Sequence, residues 1–107
     1  MNRILCRVIV LLTCALSAFA QTRITGIVTD NSGAVVLGAA VTARNVETGI
    51  ATTAQTSQAG VYTISFLNPG KYELSCEMSG FKKFSQSGIV LETGTTSTID
   101  IKLQLGQ

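Results

Sequence analysis

Residues 71–78 alternate without a fault: Tyr72, Leu74, Cys76 and Met78 are apolar, and Lys71, Glu73, Ser75 and Glu77 between them are polar. Successive side chains on a strand point to opposite faces, so this stretch describes a strand with one dry face and one wet face. A helix would scatter the same residues around its axis. The chain must therefore give this strand neighbours along its edges and an apolar layer against its dry side.

The same pattern recurs between turn signals from residue 21 onward. Val61 to Leu67 puts Tyr62, Ile64 and Phe66 on one side and Thr63 and Ser65 on the other. Asn68-Pro69-Gly70 comes next, with proline fixing φ and glycine supplying a positive φ, which predicts a hairpin with the strand at 71–78. Thr95 to Leu105 sends Ile99, Ile101, Leu103 and Leu105 inward and Asp100, Lys102 and Gln104 outward, after a turn at Glu92-Thr93-Gly94. Upstream, Thr22 to Thr29 places Ile24, Gly26 and Val28 on one face, and Asp30-Asn31-Ser32-Gly33 turns the chain out of it. A strand from Ala39 to Val46 leads into the tight turn Glu47-Thr48-Gly49. Ile50 to Thr56, rich in Thr and Ala, has little to offer a core and reads as an edge strand. Gly80 to Leu91 is less regular, with Phe81 and Phe84 flanking Lys82-Lys83 and a short strand at Ile89-Val90-Leu91. Seven short strands, with turns roughly every ten residues, predict an all-β, seven-stranded antiparallel β-sandwich.

Residues 1–20 belong to another class of segment. A basic start (Arg3, Arg7), an uncharged apolar run from Val8 to Leu16 and the small residues of Ala18-Phe19-Ala20 have the layout of a cleavable signal peptide, with cleavage between Ala20 and Gln21. The uncharged stretch is shorter than the ~20 apolar residues that span a bilayer as a helix. Lipoprotein processing at Cys14 is the alternative, for which Leu11-Leu12-Thr13-Cys14 is a loose match. The expected mature domain is 21–107, a size that buries only about two-thirds of its unfolded surface. Of the eight Lys and Arg residues, two sit in the leader, leaving six against six Asp and Glu. A neutral domain without a basic stripe has no means of gripping a phosphate backbone, so nucleic acid is excluded as a partner. Cys6 and Cys14 also fall in the leader, so Cys76 has no disulfide partner within the mature domain.

The chemistry-bearing residues are few. The chain has no histidine, which removes the commonest general base and the commonest metal ligand together. Cys76, on a dry strand face without an imidazole to activate it, reads as a small core hydrophobe. Glu73 and Glu77 share a face but lie ~13 Å apart at strand rise, beyond the ~5–9.5 Å of paired-carboxylate hydrolysis. Asp30-Asn31-Ser32-Gly33 resembles only the start of a calcium loop and reads as an Asx turn. No catalytic group, cofactor or metal is expected, and the domain reads as non-enzymatic. With Tyr62, Phe66 and Tyr72 assigned inward, the remaining sticky patch is Phe81, Lys82, Lys83 and Phe84.

Taken in order, these segments resemble carboxypeptidase regulatory-like domains. The matching pieces are Thr25-Gly26-Ile27-Val28-Thr29-Asp30, Ser32-Gly33-Ala34-Val35-Val36, Gly38-Ala39-Ala40-Val41-Thr42 and Asn45-Val46-Glu47-Thr48-Gly49. They continue with Ala59-Gly60-Val61-Tyr62-Thr63, the run from Phe66 to Leu74, Ser79-Gly80-Phe81-Lys82-Lys83-Phe84 and Gly88-Ile89-Val90-Leu91. The resemblance implies a transthyretin-like Greek-key sandwich, a fold grouped with carbohydrate-binding-like domains. Similar domains follow a signal peptide at the start of bacterial TonB-dependent outer-membrane receptors, ahead of plug and barrel. No plug, barrel or TonB-box-like segment can be carried onto this chain. The expectation is an exported interaction domain, periplasmic or outer-membrane associated or secreted, either free-standing or the N-terminal domain or truncated fragment of a TonB-dependent receptor-like protein, with a protein partner or a polysaccharide of the cell envelope. It touches the outer membrane only as part of a larger receptor, and the alternative is a small carbohydrate-binding module.

Overall fold

The computed structural model describes residues 21–106; the leader, with Ala20 and Cys14, and Gln107 lie outside the described residues. Eight strands succeed one another: β1 (Arg23–Thr29), β2 (Ala40–Asn45), β3 (Ala51–Gln55), β4 (Val61–Ile64), β5 (Gly70–Glu77), β6 (Phe84–Leu91), β7 (Thr96–Thr98) and β8 (Ile101–Lys102). They form two sheets packed as a sandwich. One has the order β3-β2-β5-β6, and in the other β1 is central, with β4 on one side and β7 and β8 in succession on the other.

The alternation at 71–78 produces what it predicts. Tyr72, Leu74 and Cys76 are buried and pair across the sheet with Asn45, Ala43 and Val41. Facing them across the core are Ile24 and Val28 of β1, Tyr62 and Ile64 of β4, and Ile101 and Leu103 near the chain's end. β3 is an edge strand with four of its five residues exposed, as its lack of large apolar side chains requires.

Several local expectations change. The hairpin between Val61–Leu67 and Lys71–Met78 does not form, because β4 pairs with β1 while β5 pairs with β2 and β6. The residues between them cross from one sheet to the other. The crossing is held by the Leu67 N–H donating to Thr22 O (3.0 Å) and the Tyr72 hydroxyl donating to Asn68 O (2.7 Å), a tyrosine-corner bond. Gly80 to Leu91, irregular in sequence, contains the eight-residue strand β6. Its pairing with β5 slips by one residue between Tyr72 and Leu74, and Gly88 at φ 76° accommodates the extra residue as a bulge.

The expected strand from Thr95 to Leu105 is divided into β7 and β8, both parallel to β1, which makes eight strands rather than seven and one sheet mixed. Gly26 is the reason for the division. A Cβ there would lie 2.7 Å from the Ile99 carbonyl carbon and closer still to its oxygen, so the chain at Ile99 dips into space that only glycine leaves. The Ile99 N–H donates to Thr25 O (2.8 Å), its carbonyl accepts from the Tyr62 hydroxyl (2.6 Å), and Asp100 Oδ1 accepts from the Ile27 N–H (3.0 Å). Leu105, expected inward, is 65% exposed, because residues past Leu103 leave the sandwich and bridge to Phe81.

Candidate functional site

The described chain enters the sandwich at one end and leaves at the other. The entry end gathers Thr22, the β2–β3 turn, the crossing at 65–69 and the turn at Glu92–Thr95, tied by Gly94 N–H donating to Thr22 Oγ1 (2.9 Å) and Val46 N–H to Lys71 O (3.0 Å). The exit end gathers the β1–β2, β3–β4 and β5–β6 connections and the last residues, where the Gly106 N–H donates to Gly80 O (2.9 Å).

Cys76, Tyr62 and Asp30 are committed to the fold. Cys76 is buried, and burial pushes its thiol up to about 11, so it is protonated and without nucleophilic character at neutral pH. Burial likewise holds the Tyr62 hydroxyl far above the usual phenol range. Asp30 Oδ1 accepts from the Ser32 hydroxyl (2.6 Å), the Ser32 N–H (2.9 Å) and the Ala34 N–H (3.1 Å), so its own loop satisfies it in an Asx turn. The Ser32 hydroxyl bond is the main reason its carboxyl sits below the usual value. Glu77 pairs with Lys83 at 3.4 Å, and Glu73 accepts from Ser85 at 3.3 Å.

The residues singled out in the sequence lie together at the exit end. Lys82 and Lys83 are exposed, while Phe81 and Phe84 are half-buried and pack against the core. The Lys82 N–H donates to Gln104 O (2.7 Å), closing the seam between the sheets. An open groove of about 600 Å³ runs past Gly38, Met78, Phe81 and Lys83. A second depression brings Lys82, Lys83 and Phe84 beside Lys102 and Gln104.

The entry end carries a residue that the sequence pattern assigns to the core. β4 stops at Ile64, and Phe66 takes φ 59°, the one positive φ outside glycine among the described residues. That left-handed residue shifts the alternation by one, so Leu67 is buried and Phe66 is 80% exposed. Such a backbone costs an L-residue about 1–2 kcal/mol. Beside the ring is a cleft that includes Asn45, Thr48, Thr52, Asn68 and Ile50. Asn45 is the visible clue, a polar residue completing the dry-face series Val41, Ala43, Asn45; its Oδ1 accepts from the Glu47 N–H (2.9 Å) and Thr48 N–H (3.1 Å). Left-handed phenylalanine has no such signature.

The fold and its surfaces define a small β-sandwich domain of loops and grooves. The carboxypeptidase regulatory-like domain profile matches residues 23–104, and the chain belongs to that family. No curated protein matches it significantly in sequence. Among solved structures it is similar to a Bacteroides uniformis protein assigned provisionally to carbohydrate binding (TM-score 0.61, 23% identity, covering 76% of this chain and 40% of that one). It is similar to chlorocatechol 1,2-dioxygenase from Pseudomonas putida (0.63, 11%, 79% and 60%). It is also similar to GBS52, a minor pilin of Streptococcus agalactiae (0.60, 16%, 83% and 46%). At these identities the likeness is one of fold, and the chain spans less than two-thirds of each protein.

Proposed function

We propose that the chain is an exported, non-enzymatic binding module of the cell envelope, with residues 1–20 as its signal peptide and 21–107 as the module. The observation that carries this reading is the division of side chains. Of the nucleophilic and acidic groups singled out in the sequence, Cys76 is buried, Asp30 is held by its own loop, and Glu73 and Glu77 are surface groups in contact with Ser85 and Lys83, whereas large apolar groups such as Phe66 and Ile50 stand exposed at the entry end. Catalysis needs the first kind of group free; recognition uses the second. The pilin likeness supports a place outside the cytoplasm, and the family resemblance supports the N-terminal position of a TonB-dependent receptor-like protein, either intact or truncated.

A carbohydrate-binding module is the second reading, favoured by Phe66 and by the fold likeness to the Bacteroides protein. Fractionation of cells making the full chain with a C-terminal tag tests export. Recovery in the envelope with Gln21 as first residue is the expected result, and a cytoplasmic chain that keeps its leader overturns it. A plug-and-barrel reading frame continuing after residue 107 supports the receptor context, and an unrelated gene there overturns it.

A further inference from the structure

We propose that Phe66 and the cleft beside it bind a neutral polysaccharide, a ligand assignment that rests on reading the domain as a binding module. Neither packing nor backbone geometry accounts for phenylalanine at this position. Its ring is 80% exposed and its φ is 59°, where asparagine or glycine would sit with less strain and a polar side chain would hide no less surface. The ring is nonetheless held on a fixed base. Leu67 is buried next to it and bonded to Thr22, and Asn68 accepts the Tyr72 hydroxyl. It is an exposed aromatic plate at the rim of the sandwich, carried on an anchored backbone.

The cleft supplies the complementary chemistry. Asn45, Thr48, Thr52 and Asn68 bring amides and hydroxyls beside the ring, and none of the lining residues is charged. Asn45 Nδ2 bonds to nothing among the described residues, and Asn45 itself is buried beside the cleft at 6% exposure. The Tyr72 hydroxyl has given its proton to Asn68 O and can still accept. A sugar ring offers what such a site takes: an apolar C–H face to lie on the aromatic plate and hydroxyls around its rim for amide and hydroxyl partners. Uronates, phosphates and other anions find no counter-charge. A protein anchor would seat its side chain in a largely apolar pocket, whereas here half of the lining, Asn45, Thr48, Thr52 and Asn68, is polar.

Affinity electrophoresis of the full chain through gels containing dextran, amylopectin or galactomannan, with alginate in a parallel gel, tests the assignment. At least one neutral polymer is expected to retard the parent and Phe66→Tyr. Retardation should weaken roughly tenfold in Phe66→Ala and Phe66→Asn, about the size of one lost stacking contact. It should be unchanged in the Lys82→Gln, Lys83→Gln double variant at the other end. Circular dichroism checks that each variant is folded, and Phe66→Asn, suited to the left-handed backbone, covers the case in which Phe66→Ala is not. Equal retardation of parent and folded Phe66 variants overturns the site. Retardation by alginate alone, or by no neutral polymer, overturns the ligand class. Export is read by fractionation, so it stands or falls separately.

Discussion

Two of the places where the strand pattern fails, beside Gly26 and at Phe66, differ in kind. At Ile99 the chain dips into the sheet, but its N–H, its carbonyl and the neighbouring Asp100 carboxylate all find partners in β1 or β4. At Phe66 the chain takes a strained conformation and turns a large apolar ring outward. The first irregularity is closed on itself and serves the fold. The second destabilises the domain through backbone and hydration together, and its effect is to present a surface. An irregularity with all its groups bonded belongs to architecture, and one that combines backbone strain with an exposed aromatic ring is a candidate for recognition.

The difference breaks most visibly at Gly26. In Gly26→Ala the added methyl meets the Ile99 backbone, 2.7 Å from the carbonyl carbon and nearer its oxygen, with the Tyr62 ring at 3.0 Å. Nothing flexible lies in the way, so β1 and the β7–β8 connection must separate. The expected loss is about 3 kcal/mol or more, a large part of the stability of a domain this size. Urea denaturation followed by circular dichroism measures it, and a variant with the parent's midpoint would show that the dip at Ile99 is not held by Gly26.

The interior is also sensitive to alkali. Burial raises the Cys76 thiol from 9.0 to about 11, and the Tyr62 hydroxyl is raised above its ordinary 10.0. Both groups hold their protons more tightly folded than unfolded. Their contribution is therefore fully present below the ordinary values and lost as pH rises through the folded ones. The urea midpoint should be flat up to about pH 9 and then fall, with a thiol share of roughly 1–3 kcal/mol at 1.36 kcal/mol per pH unit. Cys76→Ala, whatever its baseline cost, should delay the onset to the tyrosine's range near pH 10. A decline that still begins at pH 9 in that variant would assign it elsewhere.

Strands whose two faces are both informative can be read directly: β5 announces itself because Lys71, Glu73, Ser75 and Glu77 are as regular as the apolar row between them. β3 declares itself an edge by what it lacks. Sheet membership is less legible, since Pro69 and Gly70 mark a turn but not whether the next strand returns to the same sheet. Gly88 has the look of a break rather than a bulge, because a bulge is defined by the partner strand. The basic and aromatic residues at 81–84 stand out by composition, yet whether a ring lies on the core or stands clear is a matter of packing, and both rings lie half on the core. Phe66 reads inward because the alternation of Tyr62 and Ile64 points that way. A single left-handed residue reverses the facing of the residues after it, and only glycine or asparagine would have signalled the reversal.

The smallest effect is the most diagnostic, because it has the opposite sign. Phe66→Asn and Phe66→Ala both delete the exposed ring, but only asparagine is at ease near φ 59°. If the residue is kept for recognition, Phe66→Asn should raise the urea midpoint by the equivalent of about 0.5–1 kcal/mol, and Phe66→Ala should stay within about 0.5 kcal/mol of the parent. The alkaline onset should be the same in all three, since none of them alters Cys76 or Tyr62. If instead Phe66→Asn lost more than about 1 kcal/mol, the ring would be supporting the crossing between the sheets, and Phe66 would join Gly26 as a device of the fold.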